Sequence, residues 1–252
     1  MKTELLYGIH PVTEALVAGK RDVFEIYISK EKHSKRLDNI ETHAAALNIK
    51  LHKVNMARIE AMVRDRKHQG VCATVSPYPY TAFSDMLACE TDSKNSRFFL
   101  LLDNILDPHN FGAIIRTALC VGVDGIIITK DRSVPPTPAV SKTSAGALEH
   151  ARVAMVTNLA STITTLKKNG VWIFGMDMAA EKTIYSTDLS GNIAVVLGGE
   201  EKGIRPLSKK HCDVLISIPQ VSKIDSLNAS VAGSIVMYEA FRQKHYKNKG
   251  QV

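Results

Sequence analysis

FFLLLDNILDPHNFGAIIRTA, residues 98–118, decides the architecture. Phe98 to Leu102 form a continuous apolar run that stops at Asp103-Asn104, and a helical stretch follows. A run of this kind reads as a strand covered on both faces, the signature of a parallel sheet with helices on either side. Within the helical stretch Asn110 is a candidate N-cap, and Gly112 permits close backbone approach. Arg116 interrupts the apolar pattern six residues after Asn110, a little under two turns on, so the two can point toward one side of the helix. Two readings compete for Arg116. It either pairs with Asp103 or Asp107 or snorkels to the surface, or it presents its planar fork to a phosphate.

Working outward, further apolar runs lie at Gly125 to Ile128, Val171 to Gly175, Ile193 to Leu197 and Val214 to Ile218. Helical stretches separate them, which predicts an open parallel sheet. Ligands of such sheets collect at the carboxyl ends of the strands, so the turns after Leu102, Leu197 and Ile218 are where chemistry is expected. After Leu197 comes Gly198-Gly199-Glu200-Glu201-Lys202-Gly203. Its paired glycines let backbone amides face a ligand, and Glu200 offers a carboxylate. After Ile218 come Pro219 and a polar loop leading to Ser226-Leu227-Asn228-Ala229-Ser230, where Asp225 or Ser226 is placed to cap the last helix. Neither GxGxxG nor GxxxxGK[ST] occurs, which removes the main support for dinucleotide or P-loop chemistry.

Upstream, shorter elements alternate. The pattern predicts helices at Val12 to Val17, Lys35 to Leu47 and Met56 to Val63, and strands at Phe24 to Ile28, Lys50 to Val54 and Val71 to Val75. The predicted organisation is a small α/β domain over residues 1–76, a linker over 77–97 containing one short helix, and a second α/β domain over 98–252.

The chain has 252 residues and a net charge of +7. Residues 1–75 carry +4, 76–97 carry −1 and 98–252 carry +4, so both domains suit a shared polyanion. No run approaches the roughly 18 apolar residues of a membrane span, and MKTELLYGIH lacks a signal-peptide core, so the cytoplasm is the expected location. Cys72, Cys89, Cys120 and Cys212 show no CxxC pairing and read as reduced, mostly buried thiols. The nine histidines show neither HxxxH nor HExxH spacing, so neither a metal nor a His-based triad is expected.

Three strand ends bear, in order, N-x-G-x-x-x-R-T-A (from Asn110), L-G-x-E-x-x-G (from Leu197) and I-P-x-x-x-x-x-x-S-L-N-x-S (from Ile218). The trio resembles the SpoU (TrmH-type) RNA 2′-O-ribose methyltransferases of the SPOUT superfamily, and is most similar to the branch acting on a guanosine of 23S rRNA. The amino-terminal domain, with Tyr7-Gly8-Ile9-His10-Pro11-Val12 and His68-Gln69-Gly70-Val71, looks like the RNA-binding domain many of these enzymes carry. The resemblance implies a trefoil-knotted α/β methyltransferase domain, a cytoplasmic homodimer, S-adenosylmethionine as cofactor and RNA as partner. It also implies Gly198, Ile218 and Leu227 as cofactor contacts, and Asn110, Arg116, Glu200, Ser226 and Asn228 as the catalytic and substrate-facing set. Gln220 and Ala229 stand where the family often has methionine and valine, mild changes that bear on packing of the cofactor loop.

Three alternatives stay open on sequence grounds. The same chemistry can act on transfer RNA or another ribosomal RNA site; the chain can be a non-catalytic RNA-binding or assembly factor; or it can be a nucleotide-binding oxidoreductase, which lacks its fingerprint here.

Overall fold

Short β-prone runs punctuated by capped helices produce two sheets, one mixed and one fully parallel. The structure is a computed structural model that describes residues 2–88, 96–199, 202–221 and 226–246. The chain divides into two compact units, Met1–Pro79 with Pro136–His150, and Tyr80–Pro135 with Ala151–Val252.

In the first unit β1 (Glu4–Tyr7), α1 (Ile9–Ala18), β2 (Val23–Ser29), α2 (Lys35–Ala46), β3 (Lys50–Val54), α3 (Met56–Val63) and β4 (Val71–Val75) follow one another. The sheet order is β1-β4-β2-β3, with β2 and β3 parallel and β4 antiparallel to both its neighbours. The predicted elements recur with small shifts at their ends, and β1 is an addition. Its four residues ELLY are too few to show an alternation, and pairing with β4 is what makes them a strand. Capping explains the boundaries. Ser34 accepts from the Leu37 amide to open α2, and α1 stops at Gly19 in the left-handed region. Leu6, Val12, Leu16, Ile26, Leu37 and Ile40 close the core between α1, α2 and the sheet.

The second unit contains α4 (Phe83–Ala88), β5 (Phe98–Asp103), α5 (Pro108–Cys120), β6 (Gly125–Thr129), β7 (Val153–Val156), α7 (Leu159–Lys168), β8 (Trp172–Met176), β9 (Ile193–Gly198), α8 (Pro206–His211), β10 (Val214–Ile216) and α9 (Ala229–Tyr246). Its sheet runs β10-β8-β9-β5-β6-β7 and every pair is parallel. The five expected strands are present and β7 is a sixth. It lies at the edge of the sheet, and its four residues VAMV, though apolar throughout, are too short a run to separate strand from helix. β10 is shorter than the apolar run Val214 to Ile218, because Ser217 leaves the ladder to bridge Thr183.

Alternation along the central strands assigns each side chain to a layer. Phe99, Leu101, Ile127, Ile173 and Val196 face α7 and α4 through Leu159, Ile163, Leu166 and Met86. Leu197 faces the other way, toward α5 and α9. A Cβ on Gly233 of α9 would lie 2.7 Å from Leu197 Cδ1, so the missing side chain sets how closely that helix approaches β9. Each of these large side chains contributes about 1.5–3 kcal/mol by leaving water, which is why the central strands are apolar throughout.

The remaining helix, α6 (Pro138–Thr143), belongs to the first unit, as does the 3-10 turn Ala147–Glu149. Fully buried Arg21 bridges Glu4 at 2.6 Å and Glu149 at 2.8 Å, and Ser141 Oγ donates to Glu149 at 2.7 Å. No helix among the described residues is long and apolar enough to cross a membrane. Of the described cysteines Cys72 is buried, Cys212 half-buried and Cys120 exposed, so burial is less general than expected; Cys89 lies outside the described residues.

Candidate active site

The carboxyl ends of β5 and β9 meet in register, Asp103 opposite Gly198. The turns that follow are locked together: the Gly199 amide donates to the Asp103 carbonyl at 3.0 Å, and the Gly203 amide returns to the Gly199 carbonyl at 2.9 Å. A Cβ on Gly198 would sit 2.0 Å from the Gly203 carbonyl carbon, so only glycine allows this fold-back. Asp103 is completely buried and accepts from the Arg205 amide at 3.1 Å and from Arg205 Nε at 2.5 Å. Glu200 lies outside the described residues.

A cavity of about 370 Å3 opens against this turn. Gly198, Ile218, Ser226 and Leu227 all line it, so four sequence-derived residues from two separate strand ends converge. A second, smaller hollow of about 170 Å3 is lined by Asn110 and Asp107, and shares Gly199 and Ala229 with the first.

Asn110 and Asn228 also come together. Asn228 Nδ2 donates to Asn110 Oδ1 at 3.0 Å, while Asn228 Oδ1 accepts from the Ser230 and Val231 amides at 2.9 and 3.3 Å. Asn228 is therefore the cap of α9, a role the sequence reading assigned to Asp225 or Ser226. A second correction concerns α5. Its cap is Asp107, whose carboxylate accepts from the His109 and Asn110 amides with Pro108 in the first turn, so Asn110 sits inside the helix. From there α5 and α9 run in the same direction, and Thr117 Oγ1 meets Ser234 Oγ at 3.1 Å.

Arg116 departs from expectation in one respect. Six residues at about 100° each leave it roughly 120° round the helix from Asn110, and the structure accordingly buries Asn110 and exposes Arg116. The ion-pair reading loses its partners, since Asp103 is engaged by Arg205 and Asp107 by backbone amides. Among the described residues Arg116 makes no ion pair. Its guanidinium is thus presented to solvent from the helix whose first turn lines the smaller hollow.

Sequence reasoning missed the contribution of β8. Asp177 and Met178, just beyond its end, line the larger cavity, as does Lys209 of α8. Lys209 hydrogen-bonds Asp177, and that bond, helped by the Ala179 amide, holds the Asp177 carboxyl below the usual carboxylate range against the opposing effect of burial. The strand-end rule could have found Asp177, because Val171 to Gly175 was recognised as a strand. Lys209 carries no local signal, as only tertiary folding brings it to the end of β8.

Comparison with known proteins is consistent along the chain. Residues 97–238 match the model of the SpoU rRNA Methylase family, and residues 5–81 match that of RNA 2′-O ribose methyltransferase substrate binding. A Staphylococcus saprophyticus protein named as a candidate TrmH family tRNA/rRNA methyltransferase is 40% identical over 98% of both chains. The Xanthomonas axonopodis 23S rRNA (guanosine-2′-O-)-methyltransferase RlmB is 36% identical, covering 96% of this chain and 98% of that one. Among solved structures, the SpoU methyltransferase AviRb of Streptomyces viridochromogenes in complex with AdoMet superimposes with a TM-score of 0.80 at 21% identity, over 97% of this chain and 91% of that one. With both family models matched in order and relatives aligned nearly end to end, the chain belongs to the SpoU rRNA methylase family and is a methyltransferase.

Proposed function

We propose that this protein transfers a methyl group from S-adenosylmethionine to a ribose 2′-hydroxyl of RNA, with a guanosine of 23S rRNA as the substrate. The observation that carries the reading is the cavity of about 370 Å3 where Gly198, Ile218, Ser226 and Leu227 converge, beside the hollow lined by Asn110. Its volume falls in the range of small-molecule sites. Its lining suits the methyl donor in chemistry too: Leu197, Ile204 and Leu227 offer apolar surface for a purine, and Asp177 and Lys209 offer one charge of each sign for hydroxyl, amino and carboxylate groups.

S-adenosylmethionine, when bound, supplies a methyl group already activated by its sulfonium. The chain's own task is to align a hydroxyl and to help remove its proton, so positioning supplies most of the rate. Arg116 fits the role of anchoring RNA phosphate and stabilising the developing alkoxide, because a guanidinium stays protonated in proteins and serves poorly as a base. Asn110 and Asn228, already hydrogen-bonded to each other, and exposed Ser226 orient the ribose. Glu200 is assigned to holding the turn on sequence grounds.

Residues 1–76 bind RNA and residues 98–252 carry methyl transfer, joined by 77–97. The enzyme acts in the cytoplasm as a homodimer. Leu119 of α5 and Val231 and Tyr238 of α9 are exposed on two helices that pack together, apolar surface that a second copy would cover. The relative named for both tRNA and rRNA makes transfer RNA the second reading of the substrate.

The test is mass spectrometry of 2′-O-methylated nucleotides in ribosomal and transfer RNA from cells with and without the protein. Loss of one 2′-O-methylguanosine from 23S rRNA is expected; unchanged RNA refutes the reading. Arg116→Ala is expected to abolish transfer while leaving S-adenosylmethionine binding within about threefold of wild type, and wild-type turnover by that variant would remove Arg116 from the mechanism.

A further inference from the structure

A third cavity, of about 520 Å3, lies within the second unit and shares no lining residue with the two described above. It gathers residues that follow three different elements at the carboxyl edge of the parallel sheet: Arg132 beyond β6, Thr157 and Asn158 beyond β7, and Arg205 beyond β9. This is the edge on which open α/β sheets collect ligands. Two arginines line the cavity and no carboxylate among the described residues does.

The Arg205 side chain and the loop that carries Arg132 are both held in place. Asp103, completely buried, takes the Arg205 amide and Nε, which leaves the two terminal nitrogens of the fork without a partner among the described residues. A fork fixed at its Nε end and open at its Nη end is pre-organised to donate two parallel hydrogen bonds to an anion. Arg132 takes a left-handed backbone, φ 59°, unusual for a residue with a side chain. Thr129 fixes the loop around it, with its Oγ1 donating to the Asp131 carbonyl at 2.6 Å and meeting Ser133 Oγ at 2.9 Å. The first residues of α7 and of α8 form the remaining wall, and the amino-terminal end of α7 adds potential of the same sign.

We propose that this cavity binds a phosphodiester group of the RNA substrate, with Arg132 and Arg205 as its donors. The proposal rests on the RNA reading given above and adds to it a site distinct from Arg116. The cavity is placed to act together with the methyl-donor pocket, because Gly203 and Ile204 line that pocket and the next residue, Arg205, lines this one. RNA bound along the strand edge would engage both sides of one short segment.

The test uses the full-length protein and a 23S rRNA transcript. Arg132→Gln is the main variant, since Arg132 is exposed and pairs with nothing among the described residues. Arg205→Lys is the second, keeping a charge over Asp103 while removing the fork. Lys168→Gln, at the far end of α7, is the control for net charge alone. For Arg132→Gln the expected results are a roughly tenfold weaker RNA affinity and a slope of log affinity against log salt reduced by about 1. KM for RNA should rise while kcat at saturating RNA and S-adenosylmethionine affinity stay at wild-type values. Arg205→Lys should lose several-fold in RNA affinity, and Lys168→Gln should change neither affinity nor slope.

Wild-type affinity and slope in Arg132→Gln, or equal losses in Arg132→Gln and Lys168→Gln, would overturn the proposal. Calorimetry with GMP provides the remaining arm: tight binding abolished by Arg132→Gln would make this a mononucleotide site and also overturn it. Failure of the wild-type protein to methylate RNA counts against the function proposed above, whereas the phosphate site is judged on RNA affinity and salt slope.

Discussion

Substituting Gly198 by alanine tests whether the fold-back of the β9 turn builds the pocket proposed for the methyl donor. The new Cβ would lie 2.0 Å from the Gly203 carbonyl carbon, 2.2 Å from the Ile204 nitrogen and 2.4 Å from the Gly203 oxygen, where ordinary contact begins at 3.4 Å. All three atoms are backbone, so no side chain can swing aside, and the turn must retreat by roughly 1 Å or more. Overpacking of this kind costs about 3 kcal/mol, the upper end of its usual range, equivalent in a chain of this size to a melting point lower by roughly 6–12 °C. Gly203→Ala supplies the internal control. It has nothing within 4 Å of its Cβ but a φ of 59°, so only backbone strain of about 1 kcal/mol applies. Differential scanning calorimetry should rank Gly198→Ala well below Gly203→Ala. Isothermal titration with S-adenosylmethionine should show at least a tenfold loss for the first, and a change within about threefold for the second. Wild-type affinity and a melting point within 2 °C of wild type for Gly198→Ala would refute the steric argument, as would a larger cost at Gly203.

Three further outcomes are expected. Asp103→Ala should cost about 2 kcal/mol by chemical denaturation, below the 3–5 kcal/mol of a wholly buried pair, because Arg205 is 37% exposed and can turn to water; a cost under about 0.5 kcal/mol would contradict the pair's role. Asn228→Ala removes the α9 cap and the bond to Asn110, about 2 kcal/mol together, and should weaken S-adenosylmethionine binding through the adjacent Leu227; unchanged stability would assign the capping elsewhere. At pH 8 iodoacetamide should label exposed Cys120 and spare Cys72 and Cys212, whose thiols burial pushes up to about 12. Both would then remain protonated at pH 8, and rapid labelling of either would show that the core around it opens.

The sequence alone determined the class of fold and most of its elements. Phe98 to Leu102 and Ile193 to Leu197 are apolar throughout because both faces of the sheet are covered, and that pattern is local. The ordered motifs at three strand ends, through their resemblance to the SpoU methyltransferases, also pointed to Gly198, Ile218, Ser226 and Leu227; local pattern alone marked only the glycine pair at a strand end and a candidate cap at Ser226. What it could not decide depends on partners distant in sequence. β1 and β7 are strands because a neighbour pairs with them, and four residues carry too little pattern to announce it. Asn228 rather than Ser226 caps α9, and Asp107 rather than Asn110 caps α5, because several nearby polar side chains compete locally and geometry selects one. Arg116 was legible as an anomaly, yet only the structure shows that Asp103 is held by Arg205 and that Asp107 serves backbone amides. Lys209 beside Asp177, and Arg205 beside Asp103, are joined by the return of the chain across the strand ends, a relation that no window of sequence contains.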